Sequence, residues 1–267
     1  MTVAQLLTDT TALMHSVARE RFKVNPSKCY QRHIRELYAV REGRAKLESL
    51  KGAVVEQVSF PEAKQLITKY EWLGNIPDGC TAYYGLKLNG ELLGVVCFAI
   101  GGSAEARAVF GDAKAVCLSR GACVPHAPRN AATFLISHAC KQAQQQFGWD
   151  IFFAYSDAEA GELGTIYRAA NWACIGKGKG GNSTFVAPDG SQKITSYGFT
   201  KRLEKKFYAL GWDGKQGKYE FLRSLGWVEQ KEPPKTKWAW SPNKRINRAI
   251  RNGKLVSAKA AVAGEGL

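Results

Sequence analysis

The chain has 267 residues, 38 Lys/Arg against 23 Asp/Glu for a net charge of +15, and 45% hydrophobic content. That length buries the core of one large domain or two small ones. No apolar run approaches the roughly 20 residues of a membrane helix, and the opening residues lack the basic-then-apolar pattern of a secretory leader. Seven widely spaced cysteines without a CxxC pair are expected as buried, reduced thiols of a cytosolic protein. The charge is uneven: residues 51–190 hold twelve basic and twelve acidic residues, whereas 191–267 hold seventeen against six. A neutral centre with a basic end, interleaved with Trp212, Tyr219, Trp227, Trp238 and Trp240, reads as a packed core carrying a nucleic-acid-binding attachment.

In chain order, residues 2–22 and 27–50 read as helices with Thr2 and Ser27 as N-caps. Val54–Ser59 reads as a strand, and Pro61–Tyr70 as a helix with proline in its first turn. Ala82–Leu88 and Leu92–Ile100 flank Asn89-Gly90, a strong hairpin signal. A strand at Ala115–Val124 feeds the loop Pro125–Arg129 and a helix at Asn130–Phe147; a second strand, Asp150–Tyr155, feeds a helix at Thr165–Asn171. Short strands follow at Ala173–Gly176, Ser183–Ala187 and Lys193–Tyr197, then a helix at Leu203–Leu210. Strands alternating with helices in this order predict an α/β (α+β) mixed sheet rather than a doubly wound one. The strands ending at Val124 and Tyr155 are expected to be adjacent, parallel and splayed. Residues 1–51 are then a basic helical extension, 52–200 the catalytic domain and 201–267 a basic, DNA-contacting extension. Deleting 231–267 is expected to leave the core folded.

Chemistry is expected at the strand ends. Asp157 can accept a proton, and Tyr155 and Tyr167 can donate hydrogen bonds; Ser156 is a weaker nucleophile, with no His beside it in sequence. No G-x-S-x-G elbow is present, and Cys117, Cys123 and His126 match no standard metal spacing. Arg120, inside an apolar strand and expected on the same face as Leu118, needs a partner such as Asp157. Val124 at a strand end, Arg129 and the small residues Asn130, Ala131, Ala132 and Thr133 at the following helix start form a candidate anion site. Tyr70, Trp72 and one of Tyr83 and Tyr84 are candidates for stacking on a base, with core packing as the default for such aromatics.

Three blocks, AYYGLKLNGELLGVVCFAIGG, CLSRGACVPHAPRNAATFLISHACK and FFAYSDAEAGELGTIYRAANWACIG, together resemble the Mom family of phage DNA-modification proteins, divergent relatives of the GNAT-type N-acetyltransferases. The resemblance covers roughly residues 60–200. It implies an acetyltransferase-like sheet with splayed strands, and attachment of a carbamoylmethyl group to the exocyclic amine of adenine in phage DNA, which shields the genome from host restriction. By motif position it points to Arg120, Asp157 and Tyr167, to double-stranded DNA as partner and to the host cell cytoplasm. Arg245, Arg248 and Arg251, in a basic end resembling the family's, are the expected DNA contacts. Acetyl-CoA or a related acyl-CoA is the cofactor the fold implies, although the glycine-rich phosphate loop usual in acetyltransferases is here Asn130-Ala131-Ala132-Thr133 after Arg129. The family also carries a His-Tyr pair near Tyr70–Trp72, where this chain reads Tyr-Glu-Trp. Metal requirement and oligomeric state, a homodimer included, stay open. Two alternatives stand beside this reading: an N-acetyltransferase acting on another amine, and a non-catalytic DNA-binding protein.

Overall fold

The computed structural model describes residues 3–100, 110, 114–178, 183–190, 192–194 and 204–253. Two helices open the chain, α1 (Val3–Val24) and α2 (Tyr30–Glu42). The helix expected through residue 50 stops at Glu42, because Gly43 takes a left-handed conformation and donates its N–H to Ala39 O. Cys29, not Ser27, stands at its N-cap; Thr2 lies outside the described residues. β1 (Val54–Gln57) leads to α3 (Phe60–Tyr70), which starts at a reciprocal Ser59–Glu62 capping box with Pro61 in its first turn.

β2 (Cys80–Leu88) and β3 (Glu91–Ala99) pair antiparallel around Asn89 and Gly90, whose φ of 50° and 80° make the expected tight turn. β4 (Ala115–Cys123), α4 (Ala131–Phe147), β5 (Ile151–Ser156), α5 (Thr165–Ala169) and β6 (Ala173–Lys177) follow. The chain divides into two compact units, residues 1–176 with 236–267, and residues 177–235. In the second unit β7 (Ser183–Val186) pairs with β8 (Lys193–Ile194) and β9 (Val228–Lys231), accompanied by α6 (Glu204–Ala209) and α7 (Lys218–Ser224). Its own core gathers Phe185, Ile194, Phe207, Phe221, Leu222 and Trp227. β10 (Thr236–Trp240) and α8 (Lys244–Arg251) then return to the first unit.

The main sheet has seven strands in the order β1-β2-β3-β4-β5-β10-β6. β4 and β5 pair parallel and β5 and β10 run antiparallel, so the sheet is mixed, with helices packed on it, as expected. α4 meets it through Tyr84, whose hydroxyl donates to Gln146 Oε1 at 2.7 Å, while Phe60 at the start of α3 packs on Tyr83. Phe98 lies fully buried, edge-on to Tyr84 and Phe152; burial of such a ring contributes about 1.5–3 kcal/mol.

The expected boundary at residue 200 is corrected by β10. Trp238 pairs with Ala154 and Thr236 with Ser156, in the interior of the sheet. Residues 236–251 are therefore part of the first unit, not an appendage, and deleting 231–267 removes a central strand. Only pairing with strands far away in sequence reveals this, since Thr236-Lys-Trp-Ala-Trp sits in a locally basic stretch.

Candidate active site

The parallel pairing of β4 and β5 covers only Ala115–Cys117 against Ile151–Phe153. Beyond it β4 follows β3 as far as Cys123, while β5 continues against β10 to Ser156. The two strands thus part, as expected, and leave a cleft in the middle of the sheet. A register slip sits beside that divergence: Cys97 faces Arg120 while Phe98 faces Leu118, so Ser119 is the extra residue of a bulge. A one-residue slip turns the following side chains to the other face. Arg120 and Leu118 therefore do not share a face, contrary to strict alternation.

Arg120 turns toward the C-terminal end of α3. Its Nε donates to Asn75 O (2.9 Å), Nη2 to Asn75 Oδ1 (3.1 Å) and Nη1 to Ser119 O (2.6 Å), and Nε lies 3.9 Å from Glu71 Oε2. Its ionic partner is thus Glu71 rather than Asp157. Glu71 closes α3 as its C-cap, 4% exposed, and Oε2 accepts the N–H groups of Leu73 (2.8 Å) and Gly74 (2.9 Å). Burial pushes its carboxyl up to about 7, against the opposing pull of Arg120 and the two backbone donors; the Glu162 charge adds to the rise. A carboxyl poised near neutrality between a guanidinium and a second carboxylate can exchange a proton with a bound substrate.

Glu162 ties the other side together. Its Oε1 accepts Trp72 Nε1 (3.1 Å) and its Oε2 accepts the Asp157 N–H (2.9 Å). Asp157 Oδ1 in turn caps the 3-10 turn Ala158–Ala160 by accepting the Glu159 N–H at 3.0 Å. Ser156 is buried and accepts Trp238 Nε1 at 2.9 Å, so its hydroxyl oxygen is an anchor for the indole. Trp238 carries Tyr167, ring centroids 5.9 Å apart and 28° from parallel. Burial raises the Tyr167 hydroxyl pKa, and the neighbouring charges of Glu162, Cys117 and Glu71 raise it further; the group stays a proton donor at neutral pH.

At the far end of β4, Val124 donates its N–H to Leu93 O at 2.9 Å and so completes the sheet. Asn130 stands at the N-cap of α4 with φ 67° and makes no side-chain cap. The N–H groups of Ala132 and Thr133 find no partner among the described residues, and Arg129 is exposed. Two orphan donors, a helix dipole and a guanidinium suit a phosphate group without glycines. The phosphate end of an acyl-CoA-type molecule fits these residues.

The sequence profile of the Mom protein family matches residues 53–203. The chain belongs to the Mom protein family. No curated protein matches it. Among solved structures it is similar to the IAA acetyltransferase from Bacillus cereus (10% identity, 71% of this chain and 99% of that one, TM-score 0.37). It is likewise similar to a spermidine/spermine N-acetyltransferase from Vibrio cholerae (8% identity, 74% and 98%, TM-score 0.39) and to a Bacillus subtilis acetyltransferase in complex with CoA (9% identity, 72% and 98%, TM-score 0.37).

Of the residues singled out in this Mom-family chain, Arg120 meets Glu71, Trp72 and Asp157 are joined through Glu162, and Tyr167 stacks on Trp238. Others stand apart. Tyr155 packs in a separate cluster with Phe153, Ala239, Ile246 and Ile250, because alternation along β5 turns it away from Ser156. Tyr70 donates to Glu42 Oε1 (2.5 Å) and packs edge-on to Tyr38, holding α2 to α3. Tyr83 donates to Cys80 O, and Tyr84 is core on the α4 side. Arg245, Arg248 and Arg251 share the exposed face of α8, opposite buried Ile246, Ala249 and Ile250, and Arg251 donates to Asn171 O. Glu71 and Glu162 are the residues that sequence reasoning passed over. The available signal was a carboxylate set between aromatics in Tyr-Glu-Trp, where the family carries its His-Tyr pair.

Proposed function

We propose that the chain modifies adenine in double-stranded DNA, adding a carbamoylmethyl-type group to the exocyclic amine as a phage defence against restriction. Membership of the Mom family carries this reading; the cleft between β4 and β5 supplies its chemistry. The adenine amine is a weak nucleophile whose lone pair is delocalised into the ring, and it is paired in duplex DNA. The base is flipped out, at a cost of about a few kcal/mol, and one amine proton must leave as the new bond forms. Glu71 takes that proton. Arg120, 3.9 Å away, holds the carboxylate in place and stabilises negative charge developing on the donor. Tyr167 gives a proton to the departing group, and Asp157 and Glu162 position the loop that carries it. The new N–C bond forms at the methylene carbon of the donor, whose leaving group departs with the Tyr167 proton; a CoA-type leaving group would be held at its phosphates by Arg129 and the Ala132 and Thr133 N–H groups. The basic face of α8, with Arg245 and Arg248, contacts the DNA backbone.

Mass spectrometry of nucleosides from plasmid DNA co-expressed with the chain tests this. The expected result is an adenosine of increased mass, present with the wild type and absent with Arg120→Ala, which still folds and binds DNA. Unmodified DNA in every sample would point to a DNA-binding protein without this activity. Acyl transfer to a free amine in the absence of DNA would point to the alternative acetyltransferase.

A further inference from the structure

We propose that the inserted unit, residues 177–235, is a second grip on the phosphate backbone of duplex DNA; this rests on the reading above and assigns DNA contact to a part that the family profile covers only as far as residue 203. The unit holds twelve lysines and arginines against six acidic residues, a net of +6. Two of those acids are already engaged within it, Glu204 by Lys218 at 2.8 Å and Glu229 by Arg223 and Lys231. Phe207 anchors α6 in the small core, so Lys205, Lys206 and Tyr208 point outward. Lys205, Lys206 and Lys215 are exposed and make no ion pair among the described residues. Tyr208 is 54% exposed and lies 5.1 Å from the Trp212 ring, over which Lys218 Nζ sits at 5.2 Å. Rigid, partly exposed aromatics set among unpaired lysines suit a sugar-phosphate strand, with cations on the phosphates and rings against the sugars.

The attachment of the unit supports the same assignment. It is spliced between β6 and β10, and the Gly178 N–H donates to Lys235 O at 2.8 Å where the chain leaves and returns. Thr236, the next residue, pairs with Ser156, immediately before Asp157. The chain thus re-enters the first unit directly at the strand paired with the end of β5.

The test uses the full chain and a short fluorescent duplex. Each lost phosphate contact reduces the slope of log affinity against log salt by about 0.9. The triple variant Lys205→Gln/Lys206→Gln/Lys215→Gln should therefore flatten the slope by about three, with its circular dichroism melt unchanged. Should the triple variant fold poorly, Lys205→Gln and Lys215→Gln singly should each flatten it by about one. A wild-type slope in the folded variants, alongside normal base modification, overturns the inserted-unit grip and leaves the function standing. Absence of duplex binding by the wild type overturns both, and preference of the wild type for single-stranded RNA overturns the duplex assignment.

Discussion

Glu71→Gln should abolish detectable base modification while leaving a folded protein. Glutamine keeps an oxygen for the Leu73 and Gly74 N–H groups, so the end of α3 is preserved, but it cannot take up a proton. General-base assistance is typically worth about 10²–10⁴-fold. The wild-type rate should fall as pH drops through about 7, where the carboxylate becomes protonated. Stability gives an independent readout. The folded carboxyl sits above its unfolded value of 4.5, so between 4.5 and about 7 the folded state binds the extra proton. Stability is fully present below that window and declines as pH rises through it. At about 1.4 kcal/mol per unit, the span corresponds to roughly 3 kcal/mol. Glu71→Gln should remove that slope, as read from denaturant midpoints at several pH values. A Glu71→Gln enzyme with near-wild-type modification would return the proton acceptor's role to Asp157.

Gly164→Ala should damage the fold of the site more than any other single-methyl change. Gly164 begins α5 with φ 67°, and a Cβ there would lie 2.1 Å from Trp238 Cζ2. The indole cannot swing aside, because it is buried, stacked under Tyr167 and donates to Ser156. The left-handed backbone costs an alanine about 1 kcal/mol and overpacking typically about 1–3 more. A loss of roughly 3 kcal/mol corresponds to about 10 °C in the melting midpoint for a chain of this size. Differential scanning calorimetry checks it, and a shift within a degree or two would refute the packing argument. The same variant should lose activity, since Tyr167 rides on the displaced ring.

Local signals in the chain carried the sheet's left half. Asn89-Gly90 names its own turn, Ser59 and Pro61 name a helix start, and the strand–loop–helix around Pro125–Asn130 is readable from apolar runs and punctuation. The cleft was legible only in part. Asp157 stands out at a strand end, Arg120 in an apolar strand and Tyr167 by the family motif, yet the carboxylates beside Arg120 and Asp157 do not. Strict alternation misplaces Arg120, since a bulge is a property of the pair of strands and not of either one. Glu71 is hidden for a different reason: its character comes from burial, and in sequence it is one more carboxylate at a helix end. β10 escaped because its partners, Phe152–Ser156, lie far away along the chain.

That distance has a kinetic side. The strand that completes the sheet, and whose Trp238 props both Gly164 and Tyr167, leaves the ribosome only after the whole inserted unit. Until then β5 and β6 have open edges toward each other's missing neighbour, the kind of exposed pairing surface that invites chaperone capture or self-association. Sequence-distant pairing of this sort also slows the final closure. Nascent chains arrested before residue 236 should therefore lack the strand that β5 pairs with and the Trp238 support of Gly164 and Tyr167.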